Sequence, residues 1–222
     1  MKKLLPVIIG VGILIVVVAG VLVMKKMAGS NTAGIQQGAS VPELSQSEWP
    51  VVTLTPTNNP QVSGSDGHWL DFKVQKINVP GAASMDYLLV YSTSDGGQQG
   101  VPGTVKLIGG DIEKKLLLGS ESSGKYRYDA GVENGNMTVT FRDASGKSMG
   151  KLSADFHLQS GVTTLTSLDG KFTYTLDKVA KGIYFVTMPT FVQPDPSAYV
   201  VWQNGYGVFA SDGKPHTGKV SQ

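Results

Sequence analysis

The sequence contains no cysteine, which excludes disulfide bonds, thiolate metal sites and cysteine nucleophiles together. An exported domain without disulfides is more typical of bacteria than of eukaryotic secreted modules. Charged residues make up only 16% of the chain, and no Lys/Arg-rich run occurs beyond its first 26 residues. Nucleic acid is therefore not expected as a partner. No acidic residue precedes Glu43, so the N-terminal region carries positive charge alone.

The most prominent feature that is present is an apolar run from Leu4 to Met24, which is bracketed by two pairs of lysines. As an α-helix the run would be about 30 Å long, which matches the hydrocarbon core of a bilayer. A helix satisfies its own backbone in lipid, so the many Val and Ile residues do not argue for a strand here. The pattern predicts an N-terminal signal-anchor over residues 1–26, with residues 4–24 in the bilayer.

Other roles for the N-terminal segment fit less well. A cleaved secretory signal has a shorter apolar region of about 7–15 residues, and cleavage remains the alternative. A lipoprotein would need a cysteine, and a type IV pilin would need an early glutamate; neither residue is there. The flanking lysines are balanced, so charge alone does not set the orientation. The very short N-terminal tail favours a single-pass protein of the cell membrane with a cytoplasmic N-terminus and residues 27–222 outside the cell.

Residues 27–222 have a net charge close to zero and begin with a stretch that shows no periodic pattern of apolar residues. Four of the 19 basic residues flank the apolar run, which leaves 15 basic against 17 acidic residues beyond it. Residues 27–48 are rich in small and polar side chains, and a second loose stretch follows a short strand candidate at 51–54. This composition predicts a flexible stalk over residues 27–66.

From residue 67 onwards the pattern is that of short strands separated by turns. Apolar residues alternate with polar ones, and Asp-Gly and Asn-Gly pairs stand at the expected hairpin tips. Strands at 8–12-residue spacing are typical of an all-β sandwich. We predict this fold for 67–222, as one domain or as two modules, 67–160 and 161–222. The one helical candidate, residues 111–118, would be a single turn.

Residues 168–188, LDGKFTYTLDKVAKGIYFVTM, resemble a recurrent hairpin of bacterial surface domains. The matching residues are Asp169, Gly170, Phe172, Leu176, Gly182, Tyr184 and Val186. The resemblance is to Ig-like and prealbumin-like (carboxypeptidase-regulatory-like) modules, and the arrangement as a whole is similar to single-pass bacterial surface proteins. The resemblance implies an Ig-like or prealbumin-like sandwich of antiparallel sheets, and it carries no implication of activity.

Residues that suggest catalysis are isolated. The sequence Gly146–Gly150 fits the G-x-S-x-G pattern, but it lies between two alternating strands rather than between a strand and a helix. His68 stands near Asp66 and Asp71, while His157 alternates with apolar residues and should face solvent. No histidine or carboxylate spacing fits a metal site. We therefore expect no catalytic residue, no metal and no cofactor.

The aromatic residues near the C-terminus are the best candidates for binding. Trp202, Gln203, Asn204 and Tyr206 surround a predicted hairpin tip, and exposed aromatic and amide groups are common at contact sites. The expected function is a non-enzymatic binding, adhesion or surface-assembly module for an extracellular protein or glycan. The alternative is a cell-surface hydrolase of glycan or peptide that uses paired carboxylates such as Asp66, Asp71 or Glu133.

Overall fold

The computed structural model describes residues 40–221, and strands dominate them. The signal-anchor predicted for residues 1–26 lies outside the described residues. Among those described, no helix is long and apolar enough to cross a membrane; two short 3-10 turns occur at Gln46–Glu48 and Pro196–Ala198. The strands in chain order are β1 Val51–Thr57, β2 Trp69–Gln75, β3 Ser84–Ser92, β4 Gln98–Lys106, β5 Ile112–Leu117, β6 Gly119–Ser122, β7 Lys125–Tyr128, β8 Asn134–Arg142, β9 Ser148–Ser160, β10 Thr164–Thr166, β11 Thr173–Leu176, β12 Tyr184–Pro189, β13 Val201–Gln203, β14 Tyr206–Ala210 and β15 Gly218–Ser221.

The strands form one large antiparallel sheet and three smaller ones. The large sheet has seven strands in the order β13-β14-β12-β9-β8-β3-β4. Two three-stranded sheets, β1-β2-β5 and β10-β11-β15, and the β6-β7 hairpin complete the described part. The prediction of an all-β protein built from antiparallel sheets is confirmed.

Two hydrophobic clusters lie on opposite faces of the large sheet. The main cluster includes Phe72 of β2 and Phe156 of β9, so the β1-β2-β5 sheet packs on one face. The second cluster joins Phe172 and its neighbours in the β10-β11-β15 sheet to Phe185 of β12. Strand β12 is buried on both faces because its residues contribute alternately to the two clusters. Phe185 belongs to the second cluster and Val186 to the main one. The short apolar sequence of β12 is explained by this position.

The folded part begins earlier than the predicted end of the stalk. Residues 41 onwards belong to one compact unit, and Leu44 is buried against Gly150. The backbone of Leu44 donates to the carbonyl of Lys151 on β9 over 2.8 Å, and β1 pairs with β2 along seven residues. The prediction of a stalk was therefore wrong for residues 41–66. The composition of this region suggested a stalk because its polar residues, including the loop at 58–67, outnumber the apolar residues of the short strand β1. Those apolar residues are nevertheless buried in the core.

Two smaller predictions also need correction. The two strands of the 168–188 resemblance form, but they do not pair with each other: β11 pairs with β10 and β15, and β12 pairs with β9 and β14. The proposed helical turn at 111–118 is instead strand β5, which pairs with β2. The apolar residues of this segment fit both periods, and the partner strand decides between them.

The part of the large sheet formed by β9, β8, β3 and β4 has one face that no other sheet covers in the described structure. This open face carries small polar residues of β8 and β9, and Leu88 of β3 is 43% exposed on it. Strand β4 forms the edge beside it, with Pro102 opposite Leu88. Because proline has no N–H to donate, its place on an edge strand is the expected one.

Replacement of Thr187 by valine is expected to stabilise the fold. Thr187 of β12 is fully buried, and its hydroxyl has no hydrogen-bond partner among the described residues. A buried hydroxyl without a partner is destabilising, so Thr187→Val should raise the free energy of unfolding by about 1 kcal/mol. Denaturant unfolding measures this change. The matched control is Thr140→Val on the open face, which should change stability by less than about 0.5 kcal/mol; equal effects of the two would contradict the explanation.

Candidate functional site

A cleft of about 370 Å³ lies at one end of the large sheet and collects polar side chains from distant parts of the sequence. His68 precedes β2, Asp129 and Glu133 belong to the loop between β7 and β8, His157 lies on β9, and Tyr184 begins β12. Antiparallel pairing of β8, β9 and β12 places these strand ends side by side. The cleft thus combines two histidines, two carboxylates and a tyrosine in its lining.

The orientation of His157 is set by a neighbouring strand. Its Nδ1 lies 2.8 Å from the carbonyl oxygen of Thr166 on β10, and a carbonyl can only accept. Nδ1 therefore carries the proton, and in the neutral ring Nε2 is left as an acceptor. The expectation that His157 is solvated is only half right, because the residue is partly buried in the wall of the cleft.

His68 is held by stacking rather than by a hydrogen bond. Its ring lies parallel to that of Tyr128, with the centroids 4.6 Å apart. Burial lowers the pKa of His68 below its ordinary value, although the carboxylates of Asp129 and Asp66 act in the opposite direction. The imidazole is therefore neutral near neutral pH.

Asp129 is anchored from inside the core. The hydroxyl of Tyr91, a fully buried residue of β3, donates to one carboxylate oxygen of Asp129 over 2.9 Å. Burial, together with this hydrogen bond and the negative charge of Asp129, raises the pKa of Tyr91. The tyrosine therefore remains a donor, and the other oxygen of Asp129 receives no hydrogen bond from a described residue. Glu133 forms no side-chain hydrogen bond or ion pair with a described residue.

The cleft lies far from the first residues that the structure describes. Residues 42–44 join at Lys151 on β9, and His157 is six residues further along the same strand. At the rise of an extended strand this separation is about 20 Å.

The tip predicted as a binding site forms as a hairpin but lies elsewhere. Strands β13 and β14 pair, and Asn204 and Gly205 both have positive φ as the turn requires. Gln203 and Asn204 are exposed. Trp202 is partly buried, and its Nε1 donates to the carbonyl of Thr190 over 2.9 Å. The tip lies beside the far end of β12 from Tyr184, so the structure does not bring it to the cleft.

Tyr206 has an internal contact of its own. Its hydroxyl donates to Asp169 over 2.5 Å, and its ring stacks on Phe172. Burial and the Asp169 carboxylate raise the pKa of Tyr206 to about 12. For Asp169, burial acts to raise the pKa, but hydrogen bonds from Ser167 and Tyr206 outweigh it and lower the pKa overall. This pair connects the hairpin tip to the turn before β11.

We expect Tyr206→Phe to lower the free energy of unfolding by about 1 kcal/mol at neutral pH. The loss is smaller than for a fully buried hydrogen bond to a charged group, because Asp169 is partly exposed. Folding lowers the pKa of Asp169, so its ionised carboxylate stabilises the folded state at pH values above the unfolded-state pKa of about 3.9. This stabilisation is lost as the pH falls through the lower pKa of the folded state. The difference between wild type and variant should therefore shrink in acid. Unfolding at several pH values tests this, with Tyr126→Phe as a control that loses no described hydrogen bond; a pH-independent difference would contradict it.

The carboxylates named for a hydrolase do not converge. Asp66 accepts from the side chain of Asn58, Asp71 lies near Lys115 on the outer side of the β1-β2-β5 sheet, and only Glu133 lines the cleft. Its companion there is Asp129. Among the described residues, no group of three or more His, Asp or Glu side chains is arranged to hold a metal ion.

The sequence marks His68, His157 and Glu133 as polar candidates but does not indicate that they lie together. Asp129 and Tyr184 carry no such signal in the sequence. The convergence depends on the register of β8, β9 and β12, which sequence spacing does not reveal. No protein-family model, no curated protein and no solved structure matches this chain.

Proposed function

We propose that this protein is a membrane-anchored extracellular module that binds a glycan or protein without catalysing a reaction. The observation that carries the proposal is the cleft, whose lining brings together Asp129, Glu133 and His157, three residues with acceptor atoms that no described residue occupies. A compact cleft of this size with a few oriented polar groups is typical of ligand sites. Anchoring through residues 4–24 would raise the local concentration of the module at the cell surface.

The Trp202–Tyr206 tip is proposed as a second contact surface. Gln203 and Asn204 are exposed there and free to meet a partner. As to the fold, we propose a variant of the Ig-like or prealbumin-like sandwich. Its support is the pair of antiparallel sheets that face each other across the main cluster.

Protease treatment of intact cells tests the placement of the module. Mass spectrometry should recover peptides from residues 41–222 in the released fraction, and lysis should not be needed for their release. Binding is tested by probing arrays of glycans and surface proteins with the full-length chain in detergent. Recovery of these peptides only after lysis would contradict the extracellular location, and an absence of any ligand on the arrays would contradict the binding role.

A hydrolase remains the second candidate because two carboxylates, Asp129 and Glu133, line the same cleft. Glycosidases use such a pair across the scissile bond. Incubation of the full-length chain with each bound glycan separates the two functions. New reducing ends that are lost in Glu133→Gln would establish hydrolysis, whereas an unchanged glycan supports binding alone.

A further inference from the structure

Resting on the binding role proposed above, we infer that the cleft between His68 and His157 selects an amino sugar whose primary amine is unmodified. The inference concerns the class of ligand and follows from the charge, the free acceptors and the backbone pairing of the cleft walls.

The charge of the cleft favours a cation. The formally charged residues in its lining are Asp129 and Glu133, and neither lysine nor arginine lines it. His68 adds no positive charge near neutral pH, because burial lowers its pKa. A ligand ammonium group would be attracted by the two carboxylates, whereas a phosphate or carboxylate group would be repelled.

The side chains that line the cleft offer hydrogen-bond acceptors to a ligand. Nε2 of His157 can accept because Nδ1 is occupied by Thr166. One oxygen of Asp129 accepts from Tyr91, and the other receives no hydrogen bond from a described residue. The carboxylate of Glu133 has no partner among the described residues. A ligand that presents several donors at close spacing would satisfy these groups, and an amino sugar carries hydroxyl donors around the ring in addition to its ammonium group.

The backbone around the cleft does not suit an extended peptide. A peptide that binds to a sheet pairs along a free strand edge. At His157, β9 is paired on both sides, with Asn134 of β8 on one side and Thr187 of β12 on the other. Side chains must therefore hold the ligand. A volume of about 370 Å³ is sufficient for one or two sugar rings and lies near the lower limit for ligand sites.

The test compares two ligands that differ in the charge of the amine. The full-length chain in detergent is titrated with a glucosamine hexamer and with the matching N-acetylglucosamine hexamer, in low-salt buffer near neutral pH. We expect the free amine to bind about tenfold more tightly or better, and added salt to weaken its binding because exposed charges are screened.

Substitutions locate the binding. Glu133→Gln removes one negative charge from an exposed position of the cleft and should weaken binding of the glucosamine hexamer by about tenfold. Glu113→Gln makes the same change on β5, away from the cleft lining, and should leave binding unchanged. Thermal unfolding of both variants checks that the fold is retained.

The outcomes separate the inference from the proposed function. Equal affinity for the two hexamers, or binding of other array ligands but not of the glucosamine hexamer, would overturn the inference and leave the binding role standing. Equal losses in the Glu133 and Glu113 variants would show general charge attraction and also overturn it. If no array ligand and neither hexamer binds, both the inference and the binding role fail.

Discussion

A fragment of residues 67–222 should not fold, whereas residues 41–222 should. The shorter fragment lacks β1, whose residues Val51, Val52 and Leu54 are buried, and β2 loses the partner with which it pairs along its whole length. Each buried side chain of this size contributes about 1.5–3 kcal/mol. Their combined loss, together with that of Leu44, is comparable to the whole net stability of a typical domain, about 5–15 kcal/mol.

Circular dichroism and the dispersion of amide NMR signals measure the difference between the two fragments. A third fragment, residues 49–222, is a graded control, because it loses Leu44 and its contact with Gly150 but keeps β1. It should be folded and less stable than 41–222. A well-dispersed spectrum from the 67–222 fragment would show that β1 is dispensable and that the folded unit begins later than described.

Replacement of Phe172 by alanine should lower the free energy of unfolding by about 3–5 kcal/mol, as expected for a buried aromatic residue. Phe172 is 1% exposed and belongs to the second cluster. The more specific expectation is that the whole folded part unfolds earlier, in one transition. The reason is β12, which contributes Phe185 to the second cluster and Val186 to the main one.

Phe156→Ala is the matched variant in the main cluster. Thermal unfolding followed by calorimetry should show a single transition for both variants, displaced to lower temperature in each. A separate early transition in Phe172→Ala alone would mean that residues 161–221 behave as an independent module. That result would contradict the continuity of the large sheet across residue 160, where β9 pairs with β12.

The sequence was a good guide to strands and a poor one to their partners. Alternation predicted β8 and β9, because each strand has one face on the core and one on solvent. The hairpin at Asn204-Gly205 followed from turn chemistry, which is local. The pairing of β11 with β15 could not be foreseen, since partners 40 or more residues apart are chosen by packing of the whole unit.

The candidate cleft was less accessible to prediction than the fold. His157 alternates with apolar neighbours, and this pattern correctly places it on the face opposite the main core. The pattern does not show that β10 covers that face at Thr166 and fixes the ring. Asp129 carries no sequence signal, because its role depends on a tyrosine that reaches it from β3.

The β4 edge of the large sheet bears on how copies of this protein meet one another in solution. Exposed strand edges can pair with the edge of a neighbouring copy and lead to aggregation. On β4, Pro102 has no backbone N–H group to donate to another strand, and Lys106 places a positive charge at the end of the edge. Both residues make edge-to-edge pairing of two copies through β4 unfavourable, although this edge is not covered by another strand in the described structure.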